Sequence, residues 1–497
     1  MTTQEVAYES NSPANPSLAR MVGVGSMEGT LDTGAVGVRR EGDDPLRTTN
    51  STISVVLATA ITAAGLQAAL SWVYAAYVCP HFSASFSCEA ANVVRIVEVY
   101  LLATTLAAGL GASLKLQPRA SGIAAILQYV IVVSPLLTIY SQGQTETSFM
   151  YLVLASFLTL VVATHALPVF RIPLAGRSLR AVVLLGLWGV GVYVYGALLW
   201  SGAASWFSVD FSGVYETRGY WTSVSLPLLG YFVPWQANVI NPALLAVGLH
   251  RKSLPMIAVA LLLQLLLFGM TGHKSFALAM VLVVVVYWVF RRRWSLWAIL
   301  LASGIGIVAA YLIYLLSGDE LVPSIFIRRL FFVPARNHAV YYDFFSSPTH
   351  PHILLSNSIL APFTDYPYAM SVPRVISWAY WGRDFSPNVG YMANAYAQFG
   401  GLGMILFSLI LAVILRLADS LSERREIALV AAVIGVPAMA LVNSALFTTL
   451  LTHGLLLALV VAWLAGPRDR RQLRQSFLSG IWGRRIDTAQ RRSCNDG

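Results

Sequence analysis

The sequence predicts an all-α integral membrane protein of about twelve transmembrane helices with one large extracytoplasmic loop. Three observations predict it. Of 497 residues, 57% are hydrophobic and 11% charged, with mean hydropathy +0.66, more apolar side chain than one soluble core can bury. Apolar runs long enough to cross the hydrocarbon recur along the chain, and basic residues gather on alternate connections between them.

Residues 1–50 are rich in Ser, Gly, Pro and charge and lack an apolar run, which predicts a disordered cytoplasmic arm and not a signal peptide. Spans follow at about 53–78, 93–114, 121–140, 149–170, 181–200, 224–249, 254–271, 275–290 and 295–316, so that residues 51–316 carry spans one to nine. Residues 317–387 are the extracytoplasmic loop. Spans ten to twelve, at 388–415, 427–445 and 447–465, fill residues 388–466. Residues 467–497 form a basic cytoplasmic tail, in which Phe477, Leu478, Ile481 and Trp482 among arginines suggest a short helix on the inner leaflet. Of three cysteines, Cys79 and Cys88 flank a short loop and close one disulfide if it faces an oxidising compartment; Cys494 stands alone.

Orientation follows from charge. With both termini cytoplasmic, all but eight of the 33 Lys and Arg residues lie on the inner side. The net charge of +10 therefore marks topology and an anionic inner leaflet, and no nucleic acid is implied. The eight left outside are Arg95, Arg218, Lys274, Arg328, Arg329, Arg336, Arg374 and Arg383, five of them in the 317–387 loop. One reading is an anionic substrate bound at the outer face; the other is ordinary solvated or headgroup contact, since long loops translocate regardless of charge.

A guanidinium suits pyrophosphate because its planar fork donates two parallel hydrogen bonds and its charge is never lost. Arg328, Arg329 and Arg336 flank the apolar FFVP, which places at least one of them inward at the interface. Span six holds Pro227, Pro234, Pro242, Gln236, Asn238 and Asn241, and is read as a kinked helix on a substrate cavity, with a Pro kink whose amides bond neighbouring backbone as the competing reading. Glu216, Arg218, Tyr220 and Trp221 form an interface cluster before it. Span ten starts at Asn388 and sets Tyr391, Asn394 and Gln398 on one polar stripe. Lys274 either holds a phosphate or snorkels to the headgroups. Candidate bases for a glycosyl transfer are Asp343, His338, Glu216 and Asp365. His350 and His352 have ligand-type spacing without a third partner, and His165 reads as an interhelical partner; no metal site or cofactor is expected.

QANVINPALLAVGL, TGHKSFAL, RRLFFVPARNHAVYYDFF and NVGYMANAYAQFGGLG, in that order over about residues 210–415, resemble the bacterial oligosaccharide repeat unit polymerases of the Wzy, or O-antigen polymerase, type. The resemblance implies a GT-C-like bundle in the bacterial cytoplasmic membrane and a metal-independent, inverting glycosyltransferase of polysaccharide biosynthesis. Such an enzyme moves a growing glycan from undecaprenyl or a similar polyprenyl pyrophosphate onto a lipid-linked repeat unit at the outer face. It implies carrier-phosphate roles for Arg218, Arg328, Arg336 and Arg374 with Lys274, and names polyprenyl-pyrophosphate-linked oligosaccharides, membrane lipids and a chain-length regulator as candidate partners. An aspartate is common in such sequences where this chain has Asn394. The rival readings are an outer-face glycan ligase and a lipid-linked oligosaccharide flippase or transporter; for the latter, no internal repeat is evident.

Overall fold

The structure, a computed structural model, describes residues 45–86, 88, 92–173, 175–210, 214–357, 361–423 and 425–465. The predicted arm up to residue 44, Arg424, and the tail from residue 466 with its short helix and Cys494 lie outside the described residues. The fold set out below is that of the chain from Thr49 onward.

Every described element is helical. Among the described residues eleven helices are long and apolar enough to cross a membrane: Ser51–His81, Val93–Leu116, Gly122–Ser141, Thr147–Ala166, Arg177–Trp200, Leu229–Arg251, Leu254–Thr271, Lys274–Arg291, Leu296–Ser317, Tyr391–Ser422 and Leu446–Leu464. The expected count of twelve is thus corrected. The run at 427–445 gives only the helix Ile427–Ala440, because Pro437 sits in its last turn and the chain then bends through residues 441–444. That bend has a partner, since the Tyr391 amide that opens span ten donates to the Leu441 carbonyl at 3.0 Å. Gly390 makes the approach feasible, because a Cβ there would lie 2.4 Å from the Val442 carbonyl oxygen.

Four helices widen into a π-helical turn, and each widening has the same cause. The turns Tyr74–Val78, Tyr129–Val133, Gln236–Ile240 and Ser324–Phe332 end two residues before Pro80, Pro135, Pro242 and Pro334. A proline has no N–H for the carbonyl four residues back. The preceding amide reaches back five residues instead: Cys79 to Tyr74, Ser134 to Tyr129, Asn241 to Gln236, Val333 to Arg328. The helix continues through the proline with its axis re-aimed, which is how apolar spans tolerate one.

The segment between spans nine and ten is folded, not open loop. Leu321–Pro323, the π-helical stretch and Val333–Ser346 form one interrupted helix, and Val372–Trp381 a second. Ile327, Phe331, Phe332, Ala335, Ala339 and Val340 recur at helical spacing and are buried, docking the 333–346 helix along span ten. Span ten itself breaks at Phe399 and Gly400, where Gly400 takes a positive φ of 62°. The carbonyls of Ala397 and Gln398 are released there and accept from Ile353 and Leu354 at 3.0 and 3.3 Å. Span four lies along span ten, and span eight along Ile427–Ala440. Val194, Leu198, Val233 and Leu267 of spans five to seven make a smaller apolar cluster beside the main core.

Candidate functional site

Arg336 is the organising residue of the end of the bundle where span one finishes. It lies on the first turn of the 333–346 helix, which the Pro334 widening aims across the end of span one. Its Nε donates to the Ser85 carbonyl at 2.8 Å, inside the loop that the Cys79–Cys88 disulfide closes. Burial lowers its pKa, opposed by the phenols of Tyr380 and Tyr74 and the carboxylate of Asp343. Asp343 stands two turns further along the same face, exposed, and accepts a hydrogen bond from the Tyr380 hydroxyl through Oδ2. Tyr380 comes from the second loop helix; burial and the adjacent carboxylate raise its pKa. Tyr74 takes a hydrogen bond from Gln144.

Two further groups extend this surface. The Arg328 guanidinium lies 4.2 Å from the centre of the Phe82 ring, in the same disulfide-closed loop, and its buried Nε has no hydrogen-bond partner among the described residues. On the other side the Tyr342 hydroxyl donates to Glu146 Oε2 at 3.0 Å and meets Ser148 Oγ at 2.7 Å, while its ring stacks on Phe149. Glu146 and Asp343 both add to the burial that raises the Tyr342 pKa, so the two carboxylates share one neighbourhood. A guanidinium with a carboxylate on its helix and a ring of phenols is suited to an anion and a proton acceptor side by side.

The other expected residues divide. His338 is not at this surface: it is fully buried, shares Nδ1 with the Pro334 carbonyl at 2.7 Å, and is pushed down to about 4 by burial. It faces the core because it is two residues from Arg336, on the opposite side of the helix. Arg329 and Asp365 are exposed, and Arg374 pairs with Asp384 at 3.1 Å in water. Glu216 and Arg218 sit exposed on Val214–Ser223, a helix that packs against span seven; Lys274, at the start of span eight, is half-buried. Burial, and then the Arg218 charge, push His273 down to about 4. This group is built from different elements than the Arg336 group.

Asn241 is satisfied between helices, accepting from Gln236 at 2.7 Å and donating to Gln264 at 2.8 Å and Tyr195 at 3.1 Å. Asn238 meets His453 at 3.4 Å. Asn388 gives its carbonyl to Asn337 at 2.8 Å. Asn394 is half-buried beside Gln398, which accepts from the Leu355 amide at 2.6 Å and donates to Asn357 at 3.1 Å. His350 stacks on Phe344 and His352 on Phe345. Sequence reasoning missed Tyr74, Gln144, Glu146 and Tyr380. Glu146 had a readable signal, an acid directly preceding a span in a short connection.

Compared with known proteins, the chain matches no family model, no curated protein and no solved structure.

Proposed function

We propose that the protein polymerises a cell-surface polysaccharide at the outer face of a bacterial cytoplasmic membrane, passing a growing glycan from a polyprenyl pyrophosphate carrier to a lipid-linked repeat unit. The observation that carries this reading is Arg336: a guanidinium largely withdrawn from water, held by Ser85 and framed by Asp343, Tyr380 and Tyr74. A cation held away from water with no ion pair among the described residues is poised for an anionic ligand.

In this mechanism the acceptor hydroxyl oxygen attacks the anomeric carbon from the face opposite the carrier. The bond from that carbon to the pyrophosphate oxygen breaks, and the carrier leaves as the pyrophosphate. Arg336 and Arg328 neutralise the charge gathering on the leaving oxygen. Asp343 takes the proton of the attacking hydroxyl, held in place by Tyr380, with Glu146 the nearby second carboxylate. The pyrophosphate linkage supplies the driving energy, so neither a nucleotide nor an ion gradient enters.

The test is reconstitution of the full chain in liposomes with lipid-linked repeat unit as sole substrate and a chelator present. The expected product is a ladder of lengthening lipid-linked glycans. Arg336→Ala should slow it at least about a hundredfold, and Asp343→Asn by about 10² to 10⁴. Wild-type protein that makes no ladder, or needs a finished chain and a separate acceptor, rules the polymerase out.

A further inference from the structure

A cavity of about 730 Å³ opens at the opposite end of the bundle from Arg336. Lys115, in the last turn of span two, and Arg119, just beyond it, line one wall; Arg291, which ends span eight, and Arg293, in the turn before span nine, line another. Glu426 is the one acidic residue among those lining it, and it is already engaged by His250 Nδ1 at 2.6 Å and by Arg291. Arg119 donates to the Thr164 carbonyl at 3.1 Å. Lys115 and Arg293 make no side-chain hydrogen bond or ion pair among the described residues. Two exposed cations without a protein partner among the described residues thus face one cleft.

The backbone adds an independent observation. Arg293 holds a left-handed conformation, φ 52°, which costs a residue with a Cβ and is native to glycine. Lys252 holds the same conformation at φ 55°, so what sets Arg293 apart is its place on the cleft. The cavity also has an apolar side, formed by Val55, Leu114 and Ile299 of spans one, two and nine. Cations at the mouth and hydrocarbon beside them match one kind of ligand, a phosphate carrying acyl chains. This is the end that the distribution of basic residues assigns to the cytoplasm, where anionic lipids concentrate.

We propose that this cleft is a binding site for the anionic headgroup of a glycerophospholipid from the inner leaflet, held by Lys115 and Arg293 with its acyl chains lying between spans one, two and nine. The site is separate from the Arg336 surface and does not depend on the reaction proposed there. It gives a role to the pairing of Glu426 with His250 and Arg291, which removes the one carboxylate that would repel a phosphate.

Native mass spectrometry of the full chain, exchanged from detergent containing phosphatidylglycerol or phosphatidylcholine, tests it. Wild type is expected to retain one phosphatidylglycerol and no phosphatidylcholine. Lys115→Gln with Arg293→Gln should weaken that retention about thirtyfold, by the contribution typical of two basic residues near a charged lipid, while Lys252→Gln leaves it unchanged. Arg293→Gly separates binding from folding: it relieves the backbone and should keep or raise the melting temperature while weakening lipid retention about fivefold. Millimolar inorganic phosphate should not displace the lipid. Displacement by phosphate would make the site one for a free anion. Equal retention of both lipids, or of phosphatidylglycerol by wild type and the double variant alike, would overturn the proposal.

Discussion

Arg336 and His338 stand two residues apart on one helix and meet opposite fates. The hundred-odd degrees per residue of an α-helix turns Arg336 to the polar surface and His338 into the core. His338 is held neutral with a pKa of about 4, below the ordinary histidine value of 6.5. As pH falls through that window the unfolded chain binds a proton that the folded chain refuses, so stability drops between about pH 6.5 and 4 and is flat above. His338→Gln should flatten part of this acid loss, worth about 3 kcal/mol in full, in melting curves of the detergent-solubilised protein. An unchanged acid profile would mean the ring is not sealed. At Arg336 the planar fork matters as much as the charge, so Arg336→Lys should recover less than about a tenth of activity in the liposome assay; full recovery would reduce the residue to a point charge. Neither fate was legible from residue type. Both were candidates in the sequence, and what separates them is helical phase against a core whose position composition does not give.

At the scale of elements, prolines act as joints. Four π-helical turns, each ending two residues before a proline, re-aim spans one, three and six and the loop helix. The turn before Pro334 carries Arg328 at its centre and delivers Arg336 just beyond it. The disulfide loop works with it, since Phe82 lies under Arg328 and Ser85 accepts from Arg336. Replacing Cys79 and Cys88 together by serine should therefore lower glycan output about tenfold or more while leaving span insertion intact, at the typical cost of 2–4 kcal/mol for a lost disulfide. Gly390 is a second joint, and Gly390→Ala should cost about 1–3 kcal/mol because its Cβ would collide with the 441–442 carbonyls. A lower melting temperature with unchanged expression is the expected readout. The kink in span six was readable from its prolines. The amide network around Asn241 was readable only as one of two alternatives, because sequence shows that amides are there but not which helices face them.

Over the whole molecule, hydropathy located every span, and the disagreement is confined to the eleventh apolar run, where Pro437 ends a helix too short to count as a full crossing. Apolar length is a local property and reads directly. The folded state of the 317–387 segment was less visible, since its apolar residues are interleaved with charge and lack the continuous run by which spans are recognised. The two ends of the bundle are chemically unlike: Arg336 with carboxylates and phenols at one, the Lys115 and Arg293 cleft at the other. That asymmetry suits an enzyme acting at one face better than a carrier with matching access from both.

The most direct measurement is the lipid-linked glycan that accumulates in cells lacking the protein, complemented with wild type or Arg336→Ala and probed from outside with an impermeant reagent. Single repeat units stranded on the outer face in the null and the Arg336→Ala cells, with long chains restored by wild type, is the predicted result. Long lipid-linked chains on that face would indicate a ligase and single units kept on the inner face a flippase; either outcome, or no change in the carrier-linked pool, would contradict the account.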